Sequence, residues 1–126
     1  MVLLGLVLFA AGRALEAARP LPLEVRVPAG ASAEERARRS EEAVLLAEAH
    51  RLDLVRHDAL VLHRVAANLA VAGEVDEDPE ALLAKARELG MLERDPLIRA
   101  HLLRRMRARG DVGEERYAVS VVEEAP

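Results

Sequence analysis

At 126 residues the chain has room for one small domain with a single modest core. It is 52% hydrophobic but only 2% aromatic, and the dominance of Ala, Leu, Val, Glu and Arg is helix chemistry. A formal net charge of −4 argues against bulk nucleic-acid affinity, and the lack of cysteine excludes disulfides, thiolate metal sites and thiol nucleophiles. Asn68 is the only amide side chain and Lys85 the only lysine, a bias that fits a thermophile, although a GC-rich genome pushes the same way.

In chain order, Met1–Gly12 is uninterrupted apolar sequence and Arg13 is the first charge. A spanning helix needs ~20 apolar residues, which this run reaches if Arg13 snorkels and the helix continues through Leu15, Ala17 and Ala18. The expectation is an apolar membrane anchor within residues 1–19, with a cleaved signal and a buried soluble helix as alternatives. No basic residue precedes the run, as expected if the start codon lies upstream. Arg13, Arg19 and Arg26 follow it, so the positive-inside rule applied literally puts the rest of the chain in the cytoplasm. Basic residues upstream would reverse that orientation.

Residues 20–32 read as a linker and a short strand. Arg19-Pro20-Leu21-Pro22 stops a helix, and Leu21, Leu23, Val25 and Val27 then alternate with Pro22, Glu24 and Arg26. Pro22 marks this strand as an edge. Ser32 with Glu35 forms a capping box for a helix from Ala33, charged in its first half and burying Val44, Leu45, Ala49 and Leu52 in its second.

The region 33–110 contains an internal repeat. Leu45–Leu69 and Leu82–Met106 align without gaps at an offset of 82 − 45 = 37 residues. Leu45/Leu82, Leu46/Leu83, Ala47/Ala84, Ala49/Ala86, Leu52/Leu89, Asp58/Asp95 and Leu60/Leu97 are identical, where about two identities would arise by chance. Leu54/Met91, Val61/Ile98 and Val65/Leu102 are conservative. Each copy reads as helix, short loop, helix. Asp58 caps a helix Ala59–Ala72 that Gly73 ends, and Asp78-Pro79 opens the next, which Gly90 ends. Asp95-Pro96 then opens a last helix that runs to about Arg109, and Arg116–Val122 alternates as a second strand to pair with Leu21–Val27.

Two helices carry the candidate contact residues. Ala59–Ala72 is apolar nearly all round, which suits a central core helix or a groove for an apolar partner, with Leu62, Val65 and Leu69 as its candidates. Pro96–Arg109 is basic, with no acid between Pro96 and Gly110, and offers Arg99, Arg104, Arg105 and Arg107. Those arginines suit pairing with the acidic stretch Glu74–Glu80, anionic lipid contact or, least of all, nucleic acid, since Gly90–Asp95 is longer than a helix-turn-helix turn.

No catalytic, cofactor-binding or metal constellation is legible. His50, His57 and His63 lack the i, i+4 spacing of a helical metal pair, and Asp58 is needed as a cap. Asp76-Glu77-Asp78 is not followed by a calcium loop, and no phosphate loop or nucleophile elbow occurs.

Ala81–Met106 (ALLAKARELGMLERDPLIRAHLLRRM) resembles the helical segment that precedes the catalytic domain in membrane-anchored parvulin-type peptidyl-prolyl isomerases. Gly90, Met91, Glu93-Arg94, Asp95-Pro96, Ile98-Arg99 and Leu102 carry the likeness, and the apolar anchor, strand and helices upstream follow the same order. In that family a parvulin domain of ~100 residues follows. Asp111–Pro126 does not match one, so no family catalytic residue is carried onto any position. Gly90, Asp95 and Pro96 fill structural places in that pattern, and the resemblance implies an extracytoplasmic, chaperone-like part.

The expected fold is mainly α: an apolar anchor (1–19), a linker and strand (20–32), a duplicated helix-loop-helix domain of four helices (33–110), and a tail with a strand (111–126) completing a two-stranded accessory. The expected function is a non-catalytic, membrane-tethered helical domain that binds a polypeptide client or partner subunit, without a cofactor; a homodimer is compatible with it. The alternatives are a cytoplasmic regulatory or nucleic-acid-binding module using residues 96–109, and an accessory subunit of a membrane enzyme.

Overall fold

The computed structural model describes residues 19–76, 78–110 and 113–125. In order they form β1 (Leu21–Val27), α1 (Ala33–Arg51), α2 (Ala59–Val71), α3 (Pro79–Glu88), α4 (Met91–Arg94), α5 (Pro96–Arg109), a 3₁₀ turn (Glu114–Arg116) and β2 (Tyr117–Glu123). The chain divides into two compact units, one ending at Ser40 and resuming at Gly113, the other running Glu41–Val112. The apolar run Met1–Gly12, expected to be the anchor, lies outside the described residues. No helix among the described residues is long and apolar enough to cross a membrane.

In the first unit β1 and β2 form a two-stranded parallel sheet, in register from Leu21↔Tyr117 to Val27↔Glu123. Parallel pairing requires a crossover, and all the helices among the described residues lie between the two strands in the chain. Val25 and Val27 are buried. The second strand starts at Tyr117, one residue later than the alternation predicts, because Glu114–Arg116 winds into the 3₁₀ turn. The capping box at the start of α1 is present, with Glu35 N donating to Ser32 Oγ at 3.1 Å. Arg36 ion-pairs with Glu123, and Arg39 Nη1 donates to Arg26 O at 3.4 Å.

The second unit is the repeat, and its core obeys the 37-residue offset. Ala49/Ala86, Val55/Leu92, Val61/Ile98, Val65/Leu102 and Leu69/Met106 are all buried, as are Leu45 and Leu82. Together with Leu83 and Leu103 they form one continuous cluster. The two copies place buried apolar side chains at equivalent positions, Leu103 opposite the smaller Ala66 being the main departure, so both halves line one interior. Buried Leu, Ile and Met side chains each contribute about 1.5–3 kcal/mol through the area they remove from water. Ala59–Val71, expected to be buried nearly all round, instead buries one face through Val61, Val65 and Leu69 and leaves Leu60 and Val71 exposed.

The copies agree in backbone as well as burial. Leu52 N donates to Glu48 O and Leu89 N to Lys85 O; Asp53 N donates to His50 O and Gly90 N to Arg87 O. Asp53 (φ 54°) and Gly90 (φ 69°), again 37 apart, both turn the chain through the left-handed region. Gly90 takes it without strain, whereas Asp53 is the only described non-glycine residue with a positive φ. The copies then diverge. The expected loop Gly90–Asp95 contains the one-turn helix α4, which seats buried Leu92, while residues 52–57 of the first copy make turns that seat Val55.

Candidate functional site

The two aspartates that start α2 and α5 organise the candidate site. Asp58 Oδ1 accepts the backbone N–H of Leu60 at 3.0 Å and of Val61 at 3.1 Å. Asp95 Oδ1 does the same for Leu97 at 2.9 Å and Ile98 at 3.2 Å. Each carboxylate thus satisfies two orphan donors of a helix start with one oxygen and keeps the other available.

The remaining oxygens reach across to the opposite helix. Asp58 Oδ2 lies 2.7 Å from His101 Nε2 and 2.6 Å from Arg105 Nη1, both on α5. Asp95 Oδ2 accepts from Arg64 Nε at 3.0 Å and Asn68 Nδ2 at 2.7 Å, both on α2. Arg64 and His101 are 37 apart, as are Asn68 and Arg105. The contacts are therefore reciprocal, as across an isologous dimer interface, but within one chain.

These bonds set the charge state of the aspartates. Burial by itself would raise the Asp58 carboxyl; the bonds from His101, the Val61 N–H and Arg105 outweigh it and hold the group below its ordinary 3.8. Burial likewise opposes ionisation of Asp95, and the bonds from Asn68, the Ile98 and Leu97 N–H groups and Arg64 overcome it. With Asp58 ionised and able only to accept, Nε2 of His101 must carry the proton of that bond.

Between these crossed pairs opens a pocket of about 380 Å³ lined by Leu60, His63, Arg64, Leu97, His101 and Arg104. Leu60 and Leu97, identical in the two copies, are 52% and 56% exposed although they sit on a core-forming pair of helices. Both stand in first helical turns whose Asp caps orient them alike, so each turn points one leucine outward and the next residue, Val61 or Ile98, inward. The lining holds two arginines, two histidines and no acid.

The residues singled out by the sequence are divided by this arrangement. Arg104 lines the pocket and is exposed. Arg105 is tied to Asp58 and to Leu54 O, Arg99 to Glu42 at 3.0 Å and Arg107 to Glu41 at 3.5 Å. The acidic partners of α5 are thus Glu41, Glu42 and Asp58, and the Glu80 carboxylate of the acidic stretch is instead 2.9 Å from Arg56. Val65 and Leu69 are fully buried in the core, and Leu62 is half-buried against it, so the inward face of α2 presents neither Val65 nor Leu69 to a partner.

Leu60, Leu97, Arg64 and His101 escaped sequence reasoning. Their signal was available, since Leu60/Leu97 and Asp58/Asp95 are identical at the 37-residue offset. Periodicity assigns leucines to the interior by default, and only the cap geometry shows that these two face out.

Among the described residues no group of three or more His, Asp or Glu could hold a metal ion. Residues 41–112 contain no Ser, Thr, Tyr or Cys, so the Asp58–His101 pair has no hydroxyl or thiol within its unit to activate. What the site offers is apolar surface beside the exposed Arg104, with Arg64 and His101 already paired to Asp95 and Asp58. Comparison with protein-family models, curated proteins and solved structures finds no match.

Proposed function

We propose that the chain is a non-catalytic, membrane-tethered helical domain that holds a polypeptide client or partner subunit through the pocket between the first turns of α2 and α5. The observation that carries this reading is the exposure of Leu60 and Leu97 at the centre of a lining without acids. Paired apolar side chains facing water mark a contact site more often than a solubilising surface. The exposed Arg104 favours a segment whose apolar anchor is flanked by Glu or Asp.

Two sequence features add to it. The likeness of Ala81–Met106 to the helical part of anchored parvulin-type isomerases points to a chaperone-like or assembly role, and the apolar run Met1–Gly12 to a tether. The nucleic-acid alternative is less favoured, because Arg99, Arg105 and Arg107 each have a carboxylate partner within the unit.

The test uses the full chain in mild detergent with a fluorescent Leu/Glu amphipathic peptide, its Leu/Lys counterpart and single-stranded DNA. The Leu/Glu peptide should bind best and keep most of its affinity in high salt, where DNA binding falls steeply. Leu60→Asp with Leu97→Asp should weaken peptide binding by at least about tenfold, the equivalent of 1.4 kcal/mol. Unchanged affinity in that variant, or tighter binding of the Leu/Lys peptide, refutes the assignment.

A further inference from the structure

We infer that the chain forms a homodimer by antiparallel pairing of β2 with β2 of a second copy, centred on Ser120. The starting point is an incomplete sheet. Among the described residues β1 and β2 are its only strands, and they are parallel. Parallel sheets are normally larger and covered on both faces, and two strands alone are marginal in water. Yet β2 is exposed from Ala118 to its end, with Val119, Val121 and Val122 about two-fifths open to solvent.

The two strands treat their edges differently. β1 carries Pro22, Glu24 and Arg26 among its seven residues, which are the devices that blunt an edge against further pairing. The stretch Ala118–Val122 of β2 has no proline, glycine or charge, so nothing in it discourages another strand. An edge left open in this way is a template, and the commonest symmetric use of one is a twofold dimer.

The sequence of β2 is complementary to itself in one antiparallel register. With Ser120 on the twofold axis, Val119 of each copy faces Val121 of the other, and Ala118 faces Val122. Sliding the centre to Val119 or Val121 leaves a single valine pair and sets Ser120 against Ala118 or Val122. A parallel in-register pairing would instead set Glu123 beside its own copy, where like charges repel. The antiparallel register therefore joins valine to valine in the middle and keeps the two Glu123 carboxylates at opposite ends. The product is a four-stranded sheet of order β1-β2-β2-β1.

Because the chain contains no cysteine, single introduced cysteines test this without interference. Residues facing one another across an antiparallel pair have Cα atoms about 4.5–5.5 Å apart, within disulfide range. Under mild oxidation the full chain carrying Ser120→Cys should cross-link to a dimer. Val122→Cys should not, since its own copy would lie some four residues along the strand, roughly 13 Å away. Mixing Ala118→Cys with Val122→Cys should restore cross-linking. Sedimentation in mild detergent should give twice the 13.8 kDa chain mass, falling to a single mass in Val119→Lys with Val121→Lys while helical circular dichroism is unchanged. A wild-type monomer at all soluble concentrations, a dimer that survives both lysines, or Val122→Cys cross-linking as readily as Ser120→Cys would overturn the inference.

Discussion

His101 stands 2.7 Å from Asp58 across the interior of the helical unit, 43 residues away in the chain. Subtracting the repeat offset of 37 from His101 gives Arg64, and adding it to Asp58 gives Asp95, and these two are also paired, at 3.0 Å. One carboxylate in each copy thus caps its own helix and fastens the opposite one. The duplicated unit is closed by two copies of a single interaction, and the pocket with Leu60 and Leu97 opens between them.

Replacing either aspartate should separate its two roles. Asp95→Ala loses the cap, worth about 1 kcal/mol, and leaves Arg64 and Asn68 without their acceptor, for a total of about 2–3 kcal/mol. Asp95→Asn keeps a competent cap but turns an amide N–H₂ or a neutral oxygen toward donors, and should cost about 1–2 kcal/mol. Asp58→Ala and Asp58→Asn should follow the same order. Urea unfolding of the four variants checks this. Equal losses for Ala and Asn would show that only the cap contributes.

Acid should weaken the unit through the same groups. Both carboxyls are held below 3.8 in the folded chain, so near and below that pH the unfolded chain binds more protons than the folded one. Their contribution is complete above about pH 5 and is lost as pH falls through the folded values. The urea midpoint should therefore be nearly flat from neutrality to about pH 5 and then decline. With Asp58→Asn and Asp95→Asn combined the decline should be shallower. A decline as steep as in the parent chain would assign it to other carboxylates.

The left-handed turns should respond unequally to substitution. Gly90→Ala places a Cβ at φ 69° and within 3.2 Å of the Arg94 guanidinium, and should cost about 1 kcal/mol. Asp53→Gly removes a strained conformation but loses the partly exposed pairs with Arg87 at 3.2 Å and Arg56 at 3.8 Å. Those terms are each no more than about 1 kcal/mol and nearly offset, so stability should change by less than about 0.5 kcal/mol. Thermal melts of both variants suffice. A large loss from Asp53→Gly would mean that its ion pairs hold the turn.

Adjacent residues in α5 should separate core from site. Ile98 is fully buried, and Ile98→Ala should cost about 2–5 kcal/mol, the range for truncating a large core side chain. Leu97 is 56% exposed, and Leu97→Ala should stay within about 0.5 kcal/mol in stability while weakening peptide binding. If Leu97→Ala destabilises like Ile98→Ala, the pocket is packing and not a contact site.

Much of the helical unit could be read from local chemistry. Asp58, Asp78 and Asp95 announce helix starts because the hydrogen bonds they make span two or three residues. Leu45, Ala49, Val61, Val65, Ile98 and Leu102 announce the core because the helical period alone groups them. α4 was not legible, since a four-residue turn is too short to show a period and is held by where Leu92 must go. Nor did the charge of α5 reveal its partners, because Glu41, Glu42 and Asp58 are brought to it only by the fold.

By itself the sequence determined the repeat and its offset, and the caps, which depend on neighbours within a turn of the chain; it did not give the buried face of α2, whose apolar side chains lie nearly all round. The tertiary structure alone decided that each aspartate has a second oxygen to share, that His101 and Arg64 take equivalent places, and that Leu60 and Leu97 face water together. Those outcomes depend on how the two copies approach one another. A 37-residue offset records that the copies are equivalent, but not that they cross so that each holds the other.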